Sequence, residues 1–252
     1  MKYTVSYCSE RGKNKQACED SALIGRLVVN DEAGTADVTA PCCICLCDGV
    51  GGCAGGREAS AFVAGELSTG NCPKSAADVK DLFIEINNGL LELARNSADH
   101  KRMGTTATAL FLCGKAVYLA HVGNTRLYAK EGASFRQLTA DQTLYRWFTD
   151  HHLRIFAGER NRDVIYGGMG GGNVKLIKPL VVEQLPEDLF SRTMLLSSDG
   201  VHEFLSQTEI ETILNGDASA ADKAKALCSA ALERGSEDDR TVVIIRPEGE
   251  TE

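Results

Sequence analysis

The chain has 252 residues, a formal net charge of −8 at pH 7 and a sequence pI near 5.2. This acidic balance argues against nucleic acid or an anionic membrane surface as the main partner. Hydrophobic residues make up 43% of the chain, enough for a sizeable core, and no apolar run approaches the ~20 residues of a membrane span.

Ten cysteines need an explanation, and four of them lie in the run 42–47. The N-terminus, MKYTVSYCSE, has no apolar segment typical of a signal peptide, so we expect a cytoplasmic protein with reduced thiols. On a strand, Cys43, Cys45 and Cys47 share one face, and Cys42 lies on the other. Residues along one strand face are poorly placed to surround a metal tetrahedrally, so we interpret these cysteines as small core residues.

An apolar run that ends in Asp-Gly occurs twice in the chain. The first run, 42–47, predicts a buried strand and is followed by Asp48, and the second, 193–198, is followed by Asp199. A single Asp-Gly after a strand is most often only a turn, because glycine adopts positive φ and Asp tolerates it. A carboxylate at the rim of a core, however, needs a cation or several hydrogen-bond donors.

Two further acidic residues precede predicted strands instead of following them. Asp20 leads into a strand over 21–30, and Asp238 leads into a strand over 240–246. Antiparallel pairing of these strands would bring all four carboxylates to one end of the sheets. Such a cluster needs cations to offset its repulsion, and ligands that are all oxygen suit Mg²⁺ or Mn²⁺. We therefore predict a site for two divalent ions, of the kind that hydrolyses phosphate esters.

The remaining elements are predicted from periodicity and turn signals. They are strands at 3–8, 104–113, 115–124, 125–132, 134–139 and 174–183, helices at 57–67, 78–98, 141–158, 206–215 and 219–234, and a turn at 31–41. The four consecutive strands that start at 104 predict a meander of antiparallel hairpins. Because no repeat, linker or low-complexity tract interrupts the chain, we expect 1–252 to form a single domain.

Seven motifs follow one another along nearly the whole chain. They are CED, CDGVGGCAGGREAS, GTTATAL, LAHVGNTRLY, QLTADQT, LLSSDGVHEFLSQTEI and GSEDDRTVVII. In this order they resemble the motifs of the metal-dependent protein serine/threonine phosphatases, also called type 2C or PPM, and of bacterial members in particular. The resemblance implies an α+β fold, a sandwich of two antiparallel β-sheets flanked on both sides by α-helices. It also implies hydrolysis of phosphoserine and phosphothreonine in proteins, in signalling that pairs the enzyme with a serine/threonine kinase.

The resemblance also implies roles for individual residues. Asp48 resembles the carboxylate that bridges two metal ions, and the carbonyl of Gly49 resembles a ligand of one of them. Asp199 and Asp238 resemble ligands of the second ion, and Asp20 resembles an acid bound directly or through water. A water activated by the two metals would then attack phosphorus in line.

Four positions depart from the family pattern. Lys15 stands where many members have an arginine that grips the phosphate, and it lacks the bidentate fork of arginine. Val50 stands where some members have a histidine proposed as general acid, Asn124 replaces an aspartate linked to a third metal, and Asp239 replaces the usual asparagine. These changes leave one alternative open, a non-catalytic member that works as a phospho-dependent binding or regulatory module. The four retained acids favour the enzyme.

Overall fold

The computed structural model describes residues 1–50, 55–114, 116–158 and 161–249. Within these ranges the chain forms two six-stranded antiparallel sheets. The first sheet has the spatial order Ser134–Gln137 (β10), Arg126–Glu131 (β9), Met194–Ser197 (β13), Arg240–Pro247 (β14), Lys2–Glu10 (β1) and Ala33–Thr39 (β4). The second has the order Val181–Leu185 (β12), Ala116–Val122 (β8), Ala107–Cys113 (β7), Cys42–Cys47 (β5), Ser21–Ile24 (β2) and Leu27–Val29 (β3).

A short two-stranded pair and several helices complete the described structure. The pair consists of Gly104–Thr105 (β6) and Met169–Gly170 (β11). The helices are Gly56–Thr69 (α1), Ala76–Asn96 (α2), Leu144–Asp150 (α3), Asp199–His202 (α4), Gln207–Leu214 (α5) and Ala220–Glu233 (α6), with 3₁₀ turns at Arg154–Phe156 and Glu187–Ser191. In the part of the chain that the structure describes, no helix has both the length and the apolar character needed to cross a bilayer.

Three hydrophobic clusters hold the layers together. Ile44 of β5 belongs with Val243 and Ile245 of β14 to the cluster between the two sheets. The opposite face of β5, including Cys45, packs in a second cluster with α1 and α2. The third cluster lies where α5 and α6, through residues such as Leu227, cover the outer face of the first sheet. These four layers confirm the predicted α+β sandwich with helices on both sides.

The cysteines of β5 occupy the faces that the strand period predicts. Cys43, Cys45 and Cys47 lie on the helix-covered face and are at most 7% exposed, whereas Cys42 lies against the cluster between the sheets. Burial raises the pKa of the Cys45 thiol above its ordinary value, so this group is protonated at neutral pH. These cysteines therefore fill the core as small apolar side chains.

Because Cys45 is fully buried, we expect Cys45→Ala to lower the free energy of unfolding by about 1–3 kcal/mol through lost packing. Cys43→Ala should act in the same direction. Neither change should alter the metal content of the purified protein. Urea unfolding followed by circular dichroism, together with elemental analysis, measures both effects. Stoichiometric zinc or iron that disappears in either variant would contradict the interpretation of these cysteines as core residues.

Three predicted segments differ from the structure. The predicted turn at 31–41 contains strand β4, which pairs with β1 along its whole length. Its sequence, AGTADVT, is an edge strand with alternating exposure and little apolar character, so the pattern gave no strand signal. The predicted strand 21–30 is a hairpin of β2 and β3, because Gly25 turns the chain at φ +67°. The predicted strand 174–183 begins only at Val181.

The predicted helix 141–158 is shorter than expected. Only α3 and the 3₁₀ turn Arg154–Phe156 are helical, and neither contains a buried residue. Ile155, an apolar residue within the predicted helix, is 89% exposed. Leu93 of α2 is likewise 41% exposed, although the rest of the apolar face of that helix is covered. Apolar residues at helical spacing do not by themselves show whether another helix or sheet covers the apolar face of the helix.

The expectation that all thiols are reduced is wrong for one pair. Cys72, in the connection between α1 and α2, forms a disulfide with Cys113 at the end of β7, with 5.9 Å between their Cα atoms. The two residues are 41 positions apart, and sequence spacing does not reveal pairing over such a separation. Cys53, which was expected to be reduced as well, lies outside the described residues.

Candidate functional site

The four predicted acids meet at one end of the sandwich. Pairing of Ser21 with Cys47 sets Asp20 and Asp48 side by side just beyond β2 and β5. In the other sheet, the Ser198 backbone N–H donates to the Thr241 carbonyl at 3.0 Å, which brings the segment after β13 beside the segment before β14. Asp48, Asp199 and Asp238 line a cleft of about 270 Å³ between the sheets, which confirms that the acidic positions converge.

The backbone around Asp48 is fixed by two threonines of the neighbouring strand. The hydroxyl of Thr105 donates to the Asp48 carbonyl at 2.8 Å. The Asp48 N–H donates to the Thr106 hydroxyl at 3.0 Å, and the Thr106 N–H donates back to the Asp48 carbonyl at 2.8 Å. These bonds hold the Asp48 side chain on a rigid support, so its direction into the cleft does not depend on a flexible loop.

Close backbone contact, and not turn geometry, explains why glycine follows both Asp48 and Asp199. Neither Gly49 nor Gly200 has a positive φ. A Cβ on Gly49 would lie 2.6 Å from the Glu19 carbonyl oxygen, and a Cβ on Gly200 would lie 2.0 Å from that of Asp239. Glycine is required at both positions because the backbone that carries the partner acid passes too close for any side chain.

The electrostatics of the cluster favour a bound cation. Asp20 is 1% exposed, and neither of its carboxylate oxygens has a hydrogen-bond partner among the described residues. Burial and the charge of Asp239 raise the pKa of Asp20 to about 7. Burial and the charge of Asp199 raise the pKa of Asp48 well above its ordinary value. A buried carboxylate without donors is costly when charged, so the site is incomplete without positive charge.

Asn124 contacts the cluster through its amide. Its Nδ2 donates to Oδ2 of Asp199 at 2.8 Å, and the side chain is 5% exposed. Burial and the charge of Asp238 raise the pKa of Asp199 to about 6, while the bond from Asn124 offsets part of this rise. The amide N–H of Asn124 therefore contacts Asp199 directly. A carboxylate at position 124 would instead repel Asp199 unless a cation lay between the two acids.

Lys15 lies next to the acidic cluster and forms ion pairs with three carboxylates. Its Nζ lies 2.5 Å from Oδ1 of Asp238, 2.9 Å from Oδ2 of Asp239 and 3.0 Å from Oε2 of Glu19. Burial alone would lower the pKa of Lys15, but the bonds to Asp238 and Asp239 outweigh burial and raise it. The ammonium is therefore permanently charged, and its three N–H donors face three acids.

Asp239 is a structural centre that the sequence did not reveal. This carboxylate is 2% exposed. Its Oδ1 accepts from the Gly12 N–H at 2.7 Å, and its Oδ2 accepts from Lys15 Nζ and from the Glu19 N–H at 2.8 Å. It thereby fixes the loop that carries Lys15 against the start of β14. The only sequence signal was that Asp239 departs from the asparagine of the family pattern.

The segment that follows α3 also reaches the site. Asp163 and Ile165 line the same cleft as Asp48, and Asp163 lines a neighbouring cleft of about 660 Å³ together with Lys15. No periodicity marks this segment, so sequence reasoning did not place either residue here. Val50 also borders the cleft and offers no ionisable group. The rest of the glycine-rich stretch, 51–54, lies outside the described residues.

The donor set suits divalent cations, but the side chains are not arranged around an ion. Among the described residues, no three Asp, Glu, His or Cys side chains converge tightly enough to enclose a metal. Asp238 is instead turned toward Lys15. The orphaned carboxylate of Asp20 and the raised pKa values of Asp48 and Asp199 fit a centre in which the acids reorient when cations enter.

Comparison with known proteins identifies several similar phosphatases. No family model matches the chain. The serine/threonine phosphatase Stp of Listeria monocytogenes is 31% identical over 168 residues, and the match covers 64% of this chain and 64% of that protein, somewhat under two thirds of its length. Protein phosphatase PhpP of Streptococcus pneumoniae is 26% identical over 211 residues, which cover 80% of this chain and 84% of PhpP.

A solved structure matches the chain over nearly its whole length. The crystal structure of the serine/threonine phosphatase PstP/Ppp of Mycobacterium tuberculosis superimposes with a TM-score of 0.77 at 25% sequence identity. The superposition covers 98% of this chain and 100% of that one. The two-sheet architecture of this chain is thus shared with a solved serine/threonine phosphatase structure.

Proposed function

We propose that this chain, which belongs to the bacterial-type PPM family of metal-dependent protein serine/threonine phosphatases, hydrolyses phosphoserine and phosphothreonine in proteins. The observation that supports the proposal most directly is the convergence of Asp48, Asp199 and Asp238, which come from both sheets, on one cleft. Asp48 and Asp199 are half-buried at this cleft, and Asp20 lies behind them without a partner. An acidic cluster without bound cations would repel a phosphate, so the substrate requires metal at the site.

Each residue of the cluster has a proposed part in this activity. Divalent ions held by Asp48, Asp199, Asp238 and the Gly49 carbonyl would supply an activated water and neutralise charge on the phosphoryl group. Asp48, which Thr105 and Thr106 hold in place, would determine the position of the two divalent ions. Asp20, buried next to Asp48, would add negative charge to the site. Val50 supplies no proton, so the leaving group must be protonated by another donor.

The proposal is tested by measuring hydrolysis of p-nitrophenyl phosphate and of a phosphothreonine peptide. Each substrate is assayed with Mn²⁺, with Mg²⁺ and with EDTA. We expect turnover of both substrates with added metal and none in EDTA. Turnover that persists in EDTA would contradict the two-metal site. Absence of turnover with every metal, in a protein that still binds the phosphopeptide, would favour a non-catalytic phospho-dependent binding module.

We propose that residues 1–252 act as one phosphatase-like domain. Phosphorylated proteins made by a serine/threonine kinase would be its substrates, and the cytoplasm would be its location. These assignments come from the family resemblance and from the names of the similar proteins.

Asn124→Asp should strengthen metal-dependent turnover. The change replaces the N–H donor that faces Asp199 with a second carboxylate, and a cation between them would relieve the repulsion. We expect kcat to rise. The Mn²⁺ concentration that gives half-maximal kcat should fall about tenfold if the added charge contributes an interaction energy equivalent to one pKa unit. A titration of kcat with Mn²⁺ measures both quantities.

The matched control for this variant is Asn71→Asp. It makes the same charge change at an exposed residue that does not line the acidic cleft. The control curve should superimpose on the wild-type curve. If the Asn124→Asp curve also superimposes on it, or if kcat falls, Asn124 has no bearing on a further metal position.

A further inference from the structure

Lys15 shares one carboxylate with the proposed metal centre. Oδ1 of Asp238 is engaged twice, by Lys15 Nζ at 2.5 Å and by the Asp239 N–H at 2.8 Å. No described residue donates a hydrogen bond to Oδ2 of Asp238, and this side chain is 49% exposed and lines the cleft. Asp238 can therefore hold Lys15 with one oxygen and offer the other to a metal.

Two neighbours keep the ammonium in this place. Asp239 holds it from the buried side, and Glu19 holds it from the same loop. The loop itself is attached to the start of β14, because the Lys13 N–H donates to the Glu237 carbonyl and the Gly12 N–H donates to Asp239. With three carboxylates around three N–H donors, Lys15 has no donor left for a substrate phosphate unless it releases one of these acids.

We propose that Lys15 is a built-in counter-cation that competes electrostatically with the second metal for Asp238 and lowers the affinity of that metal site. A positive charge that shares a carboxylate with a divalent ion repels it and draws electron density from the common ligand. Asp239 and Glu19 act as positioning residues that keep Lys15 beside Asp238. This inference rests on the proposed metal centre, and it differs from the phosphate grip that the family resemblance implies for position 15.

The test is direct Mn²⁺ binding by isothermal titration calorimetry on the metal-free protein, without substrate. Lys15→Met removes the charge while keeping an unbranched side chain. We expect it to tighten the weaker Mn²⁺ site about tenfold, as one removed charge near the ion would. Lys15→Arg keeps the charge and should bind Mn²⁺ as the wild type does. Circular dichroism establishes that each variant is folded, and Lys15→Gln replaces Lys15→Met if that variant is not.

Lys13→Met is the matched control. It makes the same change in net charge in the same loop, at an exposed lysine with no recorded ion pair in the described chain. Its Mn²⁺ affinity should stay within about twofold of wild type, because exposed charges are screened by salt. Unchanged or weaker Mn²⁺ binding by Lys15→Met would overturn the inference.

If, in addition, the KM of Lys15→Met for p-nitrophenyl phosphate is higher than that of the wild type, Lys15 binds the substrate phosphate. Absence of Mn²⁺ binding by the wild type would instead overturn the proposed function.

Discussion

Asp48→Asn is expected to lower kcat by at least about 10³-fold while the protein stays folded. Asp48 is the acid on which the charges of Asp20, Asp199 and Asp238 all act. An amide has one neutral carbonyl oxygen in place of two charged ones, and its NH₂ repels cations. The amide would hold divalent cations less well than the Asp48 carboxylate in the proposed centre, so several kcal/mol of stabilisation at the reacting phosphoryl group would be lost.

The fold should tolerate this substitution. The backbone bonds from Thr105 and Thr106 do not involve the Asp48 side chain, and loss of its charge relieves repulsion in the metal-free cluster. Steady-state kinetics at saturating Mn²⁺, with thermal unfolding measured in parallel, separates lost chemistry from lost structure. Asp217→Asn, at an exposed acid outside the acidic cleft, makes the same charge change and should leave kcat unaltered. Wild-type turnover by Asp48→Asn would show that the site lies elsewhere.

The metal-free protein should become less stable as the pH rises from 5 to 8. The pKa of Asp20 is raised from 3.8 to about 7 in the fold, so the folded protein holds this proton more tightly than the unfolded chain. The contribution of Asp20 to stability is therefore greatest at pH values below its pKa in the unfolded chain. It falls between about pH 4 and pH 7 and is lost above the pKa of Asp20 in the folded protein. The loss from this one group is on the order of 2 kcal/mol over the measured range.

Urea unfolding in EDTA at pH 5, 6, 7 and 8 measures this slope. Asp20→Asn, which cannot ionise, should flatten it, and saturating Mn²⁺ should restore stability at pH 8 because ligand bound to the folded state stabilises it. Other groups add their own pH dependence, so the difference between the wild type and Asp20→Asn is the quantity to compare. A wild-type slope equal to that of Asp20→Asn would mean that Asp20 carries no raised pKa.

The layers and the acidic cleft could be predicted because their signals are local. Buried strands such as β5 are short apolar runs, and an acid directly before or after such a strand is visible in the sequence. Antiparallel pairing then determines that these acids meet, without knowledge of any side-chain contact. The pairing of Ser21 with Cys47 then sets Asp20 and Asp48 side by side at this end of the sheets.

What could not be predicted depends on contacts between distant residues. Strand β4 is polar, and it forms a strand because its backbone pairs with β1 at the edge of the sheet. The roles of Gly200 and Asp239 follow from two segments that pass each other, and the Cys72–Cys113 disulfide joins residues 41 positions apart. Asp163 reaches the cleft through a segment with no periodicity. Each of these features depends on tertiary approach, which no local pattern encodes.

The pairing of β1 with β14 has a consequence for the nascent chain on the ribosome. Strand β1 is synthesised long before β14, yet the two strands pair over eight residue pairs. Until β14 emerges, the loop that carries Lys15 lacks its anchor on Asp239, and Asp238 is missing from the cleft. Synthesis of this segment from β1 toward β14 thus keeps the acidic cluster unassembled until β14 has been made. The proposed phosphatase activity would therefore begin only after β14 has closed the sheet, as a late event in the life of each molecule.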